Sequence, residues 1–380
     1  ELGGRWPVAP AWRPRGWRPA AVSAEQRGVF VDPPDEQELV RVKTMESTGM
    51  LPARLDVRLP SDWASRLDSE KGLRELPKAE APPVGKGYRA TLAVDRFADV
   101  ILRVVPADDP MAGTEVSIRK RLAMMQLARL VPSWGTVPCL DARTVGDETL
   151  ILLGAPDETL QALLRRQWMK QAQMDDGTFR MLLPLSYSLP IIVDVLRGIR
   201  SLELAGIVQA ELDAEHIVLR EGRAAIAEFG SACLIRESPF CVGEEDLRSA
   251  YRHAPEMEDG VPTGPSNMVW AVGLLAARMF LGVAATEQIR VAGDSEAARR
   301  QVRMIVRTLF SLNDVPNFKL LPGDIQSFLR GMLEKDPERR FSSEAALGVA
   351  MKLSSAHGVD LNGKPEWSSI LSSQWLGEMT

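Results

Sequence analysis

The sequence predicts an α+β protein: a small β-rich lobe, then a large helical lobe, with an extension in front. Three observations carry this. Residues 84–105 alternate apolar and polar positions at strand spacing. After Pro156 the apolar spacing turns helical and mostly stays so. The chain has 380 residues, 45% of them hydrophobic, enough for a large bilobal core.

In chain order, residues 1–20 interleave Trp6, Trp12 and Trp17 with Arg5, Arg13, Arg15 and Arg18. Pro7, Pro10, Pro14 and Pro19 forbid a continuous helix there. An extended arm that lays its Trp side chains on a neighbouring surface is expected, with a docking segment for a partner as the alternative. Residues 21–80 carry short helical patterns such as 62–73, and Pro77, Pro82 and Pro83 mark a boundary. Strands are expected at 90–94 and 100–105, a helix at 113–130 and a strand pair within 136–153. Amphipathic helices are expected at 189–205, 267–281, 297–312 and 325–333. The division is then 1–80 extension, 81–155 small lobe, 156–355 helical lobe and 356–380 tail.

Composition removes several function classes. A net charge of −5 argues against bulk attraction to nucleic acid. No run of about 18 apolar residues is present to span a bilayer. Glu1 opens the chain without Met, as in a processed secretory product or a trimmed chain. Cys139, Cys233 and Cys241 form no Cys-x-x-Cys pair, and His216, His253 and His357 are scattered, so no zinc site is expected. Cys233 and Cys241 flank a Pro-containing turn. They are either a short disulfide loop, if the protein is secreted, or two small apolar residues.

The chemistry-bearing patterns lie in the helical lobe. Gly206-Ile207-Val208 leads into Gln209-Ala210-Glu211-Leu212-Asp213-Ala214-Glu215-His216, and Ile217-Val218-Leu219 closes that frame. Then come Ala227-Glu228-Phe229-Gly230, Ala254-Pro255-Glu256 and Trp270-Ala271-Val272-Gly273. The last run is Met332-Leu333-Glu334-Lys335-Asp336-Pro337-Glu338-Arg339-Arg340.

In this order and spacing the runs resemble a protein kinase over about residues 84–355. The resemblance implies that Glu256 pairs with Arg340, that Trp270 and Gly273 belong to a buried central helix, and that Phe229 and Gly230 serve packing and a turn. It places Glu211 where the family has its catalytic Asp. A carboxylate on a longer stem is displaced, and a shift on the order of 1 Å can cost about 100-fold. Asp213 replaces the Lys that steadies the transferring phosphoryl group, a charge reversal. His216 replaces the metal-holding Asn, Ala210 the Arg before the base, and Glu228 the metal-binding Asp. Magnesium prefers oxygen, which makes His216 a poor ligand. Met268 falls where an Asp braces the catalytic-loop backbone. In the small lobe the nucleotide Lys maps to Arg103, its partner Glu to Glu115, which otherwise reads as a surface Glu at a helix N-terminus, and Leu152 guards the back of the pocket before a hinge at Leu153-Gly154-Ala155-Pro156. Gly85-Lys86-Gly87-Tyr88-Arg89-Ala90 is a degenerate glycine loop, better read as a turn into the first strand.

Loss of the glycine loop, the long extension and the altered catalytic positions together resemble the secreted rhoptry-type kinases and pseudokinases of coccidian parasites. Within them the likeness is to the with-no-Gly-loop branch that includes the bradyzoite pseudokinases. This resemblance implies secretion to the parasitophorous vacuole or cyst wall and protein partners there. The expected function is a catalytically inactive pseudokinase acting as scaffold or allosteric partner, not an enzyme, with no cofactor and no metal. The alternative is an atypical active kinase with Glu211 as base and Glu228 as metal ligand.

Overall fold

A computed structural model describes, with single positions left out inside these ranges, residues 39–45, 57–67, 73–75, 86–91, 99–106, 135–145, 148–173, 179–209, 212–227, 232–235, 253–259, 264–282, 298–301, 304–306 and 310–361. The Trp-rich arm, the helix expected at 113–130 with Glu115, and Ala210, Glu211, Glu228, Phe229, Gly230 and Cys241 lie outside the described residues. So do the Cys233 side chain and the tail after 361.

The small lobe is built on a sheet. Strand β1 (Leu39–Val42) pairs antiparallel with β3 (Val57–Pro60), which runs into the short helix α1 (Ser61–Ala64). A six-stranded sheet takes β2 (Thr44–Met45), β4 (Leu73–Glu75), β5 (Lys86–Thr91), β6 (Asp99–Pro106), β7 (Cys139–Val145) and β8 (Glu148–Gly154). Their order is β2-β4-β5-β6-β8-β7. The sheet thus draws in strands from the segment expected to precede the lobe. β4 and β5 are antiparallel, with Glu75 opposite Tyr88. Residues 86–90 are therefore strand, and the connection between the first two strands of the β4–β5–β6 meander is 76–85, a run holding Pro77, Pro82 and Pro83.

Side-chain alternation divides this sheet between two cores. Val100, Leu102 and Val104 of β6 pack with Tyr88, Leu150, Leu152, Leu73, Leu59 and Trp63 in the lobe's own core. Ile151 and Leu153, and Ile101 packed beside them, belong to the large core shared with the helices. Leu152, expected at the back of the pocket, is thus on the opposite face. Leu152 lies opposite Leu102, while Ile151 lies opposite Arg103. Register has a period of two, so an offset of one residue reverses the face.

The large lobe begins with β9 (Glu158–Thr159) and α2 (Leu160–Gln173), then α3 (Leu185–Leu204). Four short strands follow: β10 (Ile207–Gln209), β11 (Ile217–Arg220), β12 (Arg223–Ile226) and β13 (Ala232–Leu234). Helices α4 (Pro265–Leu281), α5 (Gly323–Met332) and α6 (Ser343–Ala356) follow, with further helical residues between 298 and 306. Helix α3 starts a turn before the expected 189 and carries Pro190 inside it. Helix α6 escaped the apolar spacing because its sequence, SEAALGVAMKLSSA, is rich in small residues that mark no clear stripe. Its start is fixed by Ser342, whose hydroxyl accepts the Ala345 N–H. Helices α3 and α4 run through the core, with Leu189, Ile192, Leu196 and Trp270 all fully buried.

Candidate functional site

The catalytic-loop frame and the Glu-Phe-Gly run are clasped at both ends by backbone hydrogen bonds. β10 pairs antiparallel with β13, setting Gln209 opposite Ala232. The first lies two residues before Glu211 and the second two after Gly230. At the other end the Ala227 N–H donates to the His216 carbonyl at 2.7 Å. Ala227 directly precedes Glu228, and His216 ends the loop frame. Four apolar anchors hold the frame: Val208, Leu212, Ala214 and Ile217 are buried in the large core.

Asp213 has a role that its charge alone did not suggest. Its Oδ1 accepts the Glu215 N–H at 2.7 Å and the His216 N–H at 3.2 Å, and the carboxylate is buried. This is a side-chain cap on the loop's own backbone. Beside the charge reversal that the resemblance implies, Asp213 thus turns its Oδ1 to the loop. His216 Nδ1 lies 3.3 Å from the same oxygen.

The loop's floor differs from the family pattern as expected. Met268 of α4 stands at the bracing position, and its Sδ accepts the Gln209 N–H at 3.4 Å. A thioether is a weak acceptor, so this brace is softer than a carboxylate would be.

In the small lobe Arg103 is buried on β6, between Gly87 of β5 and Ile151 of β8. It alternates with the residues of the lobe's own core, so it shares a face with Ile101 and Ile151, toward the large lobe. That is the face on which a nucleotide-binding cation belongs.

The structural motifs converge. Arg340 donates to both oxygens of Glu256, Nη1 to Oε1 at 2.6 Å and Nη2 to Oε2 at 2.8 Å. Arg340 also donates to the carbonyls of Ser266 and Glu334, and its guanidinium lies 5.1 Å from the Trp270 ring centroid. Asn267 Nδ2 donates to Glu256 Oε1 at 3.1 Å, and Asn267 Oδ1 accepts the Gly264 N–H. Trp270 meets Phe310 edge to face at 5.9 Å. Gly273 is needed where α4 touches the end of α5: a Cβ there would lie 2.8 Å from Leu333 Cδ2.

Sequence reasoning missed one cluster. Asp194, on the buried run Ile191–Leu196 of α3, takes Arg223 and Ala224 of β12 as donors. Burial pushes the Asp194 carboxyl up, while Arg223 pulls it down. The signal was present: an acid inside an otherwise apolar run of helix, Ile-Ile-Val-Asp-Val-Leu.

A divalent cation accompanies ATP in protein kinases. Among the described residues no group of three or more His, Cys, Asp or Glu side chains gathers to hold one. His216 offers nitrogen where a second ion would sit, and its nearest carboxylate is committed to backbone. That position does not fit an oxygen-seeking ion, and no step runs through it. Among the described residues no helix is long and apolar enough to cross a membrane.

A bilobal α+β fold with a clasped catalytic loop and a bolted Ala-Pro-Glu segment defines a phosphotransferase architecture. The chain belongs to the protein kinase domain family, whose model matches residues 111–350. It is similar to homeodomain-interacting protein kinase 1 of Mus musculus, 32% identical over 105 residues, 26% of this chain and 8% of that protein. The corresponding Caenorhabditis elegans protein is 33% identical over 105 residues, 12% of its length. Homeodomain-interacting protein kinase 4 of Mus musculus is 30% identical over 105 residues, 17% of its length. The matched stretch thus spans less than a fifth of these relatives. These matches overturn the expectation of a protein that is not an enzyme: the family and the similar proteins are protein kinases by name, which points to an enzyme.

Proposed function

We propose that the chain is an atypical protein kinase that transfers phosphate from ATP, with Glu211 as the general base and Glu228 as carboxylate ligand for a divalent cation. The observation that carries this reading is the double clasp: Gln209 opposite Ala232 and Ala227 bonded to His216. It supports the two carboxylate-bearing segments being held in register, which phosphoryl transfer requires because its catalysis is mostly positioning and electrostatics. Two further observations support it. Asp213 spends its oxygen on the loop backbone. Arg103 lies on the sheet face toward the large lobe. The divalent cation would neutralise phosphate charge. Glu211 would take the acceptor hydroxyl proton, and Arg103 would steady the nucleotide phosphates.

Within the family, the with-no-Gly-loop branch of the coccidian rhoptry-type kinases is the reading we favour. It is supported by residues 86–91 being strand, and by a Pro-bearing connection at 76–85, since prolines supply no N–H for phosphates. Secretion to a parasitophorous vacuole or cyst wall, with a protein there as partner or substrate, belongs to the same reading. Immunolocalisation of the tagged chain in the cytosol would refute that part.

A thermal-shift titration with ATP and Mg²⁺ or Mn²⁺ tests nucleotide binding. Ligand at 100 times Kd should add about 2.7 kcal/mol of stability. No shift with either metal at millimolar ATP would contradict the assignment.

A further inference from the structure

We propose that Asp194 is a positioning residue for strand β12: from the core helix α3 it fixes the strand that leads to Ala227, the residue before Glu228 in the sequence. Its catalytic consequence rests on the kinase reading above; its structural consequence does not.

Asp194 is 3% exposed, in a stretch of helix buried on every side whose other residues are Ile191, Ile192, Val193, Val195 and Leu196. Burying a carboxylate costs several kcal/mol unless donors compensate, and an apolar residue would fill the same space at lower cost. A charge kept here therefore has a geometric task. Its donors identify the task. Oδ2 accepts Arg223 Nε at 2.9 Å and the Ala224 N–H at 3.1 Å. Oδ1 accepts Arg223 Nη2 at 2.5 Å and Arg197 Nη1 at 3.4 Å. Three of the four bonds go to the first two residues of β12. Side chain and backbone are gripped together, which fixes the strand's position along α3 as well as its distance from it.

The same turn of α3 also backs the far end of β12. The Ile226 N–H donates to the Gly135 carbonyl at 2.7 Å, and the Val137 N–H donates to the Ile226 carbonyl at 2.8 Å. Gly135 rests on α3 so closely that a Cβ would lie 2.4 Å from the Asp194 carbonyl oxygen and 2.4 Å from the Gly198 nitrogen. One turn of α3 thus seats both the beginning of β12, through a carboxylate, and its end, through the Gly135 segment. Ala227 follows, bonded to the His216 carbonyl. A slip of β12 would move Ala227 and the loop end at His216 together.

The test uses the full chain and three variants: Asp194→Asn, which keeps shape and removes charge; Arg223→Lys, which keeps charge and removes the fork; and the double variant Asp194→Asn with Arg223→Gln. Amide hydrogen exchange is measured residue by residue, with kcat and KM for ATP alongside. Either single variant should speed exchange at Ala224, Ile226, Ala227 and Val137 by about tenfold or more, leaving α5 and α6 unchanged. Turnover should fall in kcat with KM for ATP little altered, and the neutral double variant should recover part of both. Unchanged exchange at those four amides in the single variants that fold, or a uniform rise that includes α5 and α6, would overturn the inference. If the unaltered chain shows no turnover, the kinase reading fails and the exchange pattern alone decides the role of Asp194.

Discussion

Arg340 and Glu256 form a two-pronged ion pair across 84 residues of sequence, with bonds of 2.6 and 2.8 Å and no exposure of the arginine side chain. The pair ties the segment after the Glu-Phe-Gly run to the loop between α5 and α6. Every other donor direction of Arg340 is also used, by Ser266, Glu334 and Lys335, so neither partner has water to fall back on. Arg340→Met or Glu256→Gln should each cost about 3–5 kcal/mol in urea denaturation, because each leaves one buried charge without its counterpart. Replacing both with apolar residues should cost less than the sum of the two. Losses below about 1 kcal/mol would show that the segment is held by other means.

Gly273 gives a packing test. A methyl group at this position would press on Leu333 Cδ2 and on Met332 Cβ, at 2.8 and 3.0 Å. Gly273→Ala should cost about 1–3 kcal/mol despite the better helix propensity of alanine. Pairing it with Leu333→Ala should make the two changes strongly non-additive, since one relieves the other.

Tyr88 offers a pH signature. Burial, reinforced by Glu75 and Glu148, pushes its hydroxyl from the usual 10 up to about 12. A folded value above the unfolded one means that Tyr88 stabilises the fold fully below pH 10. That contribution is lost as pH rises through about 12. Ultraviolet titration should show one of the three tyrosines ionising late. In Tyr88→Phe the late step should vanish. A late step that persists in that variant would assign it elsewhere.

Asp213 separates two views of the loop. If its charge merely opposed nucleotide binding, Asp213→Lys would restore the family residue and improve function. The geometry gives the reverse. The substitution removes the acceptor for the Glu215 and His216 amides and should cost about 1.5–3 kcal/mol, with no gain in turnover. A variant that is both stable and faster would refute the capping role.

The sequence was most legible where packing or an ion pair demands one residue type. Ala254-Pro255-Glu256, Trp270 to Gly273 and Arg340 were readable because a buried fork, a large ring and a missing Cβ each have few substitutes. Leu152 was misplaced because an unbroken apolar run such as Leu150-Ile151-Leu152-Leu153 carries no parity, and only strand pairing assigns faces. The glycine-loop reading fell on β5 because the short partner strand β4, three residues long, gives too little alternation to be seen. Asp213 read as a reversed charge because residue type reports sign, not the direction of a carboxylate. Asp194 was passed over because its partners Arg223 and Ala224 are distant in sequence.

The central claim is tested most directly by phosphate transfer from labelled ATP, with Mg²⁺ or Mn²⁺, by the purified chain and its Glu228→Ala variant. The account predicts autophosphorylation or transfer to a generic acceptor protein by the unaltered chain, and its loss in the variant. No incorporation with either metal, or equal incorporation by both proteins, would contradict it.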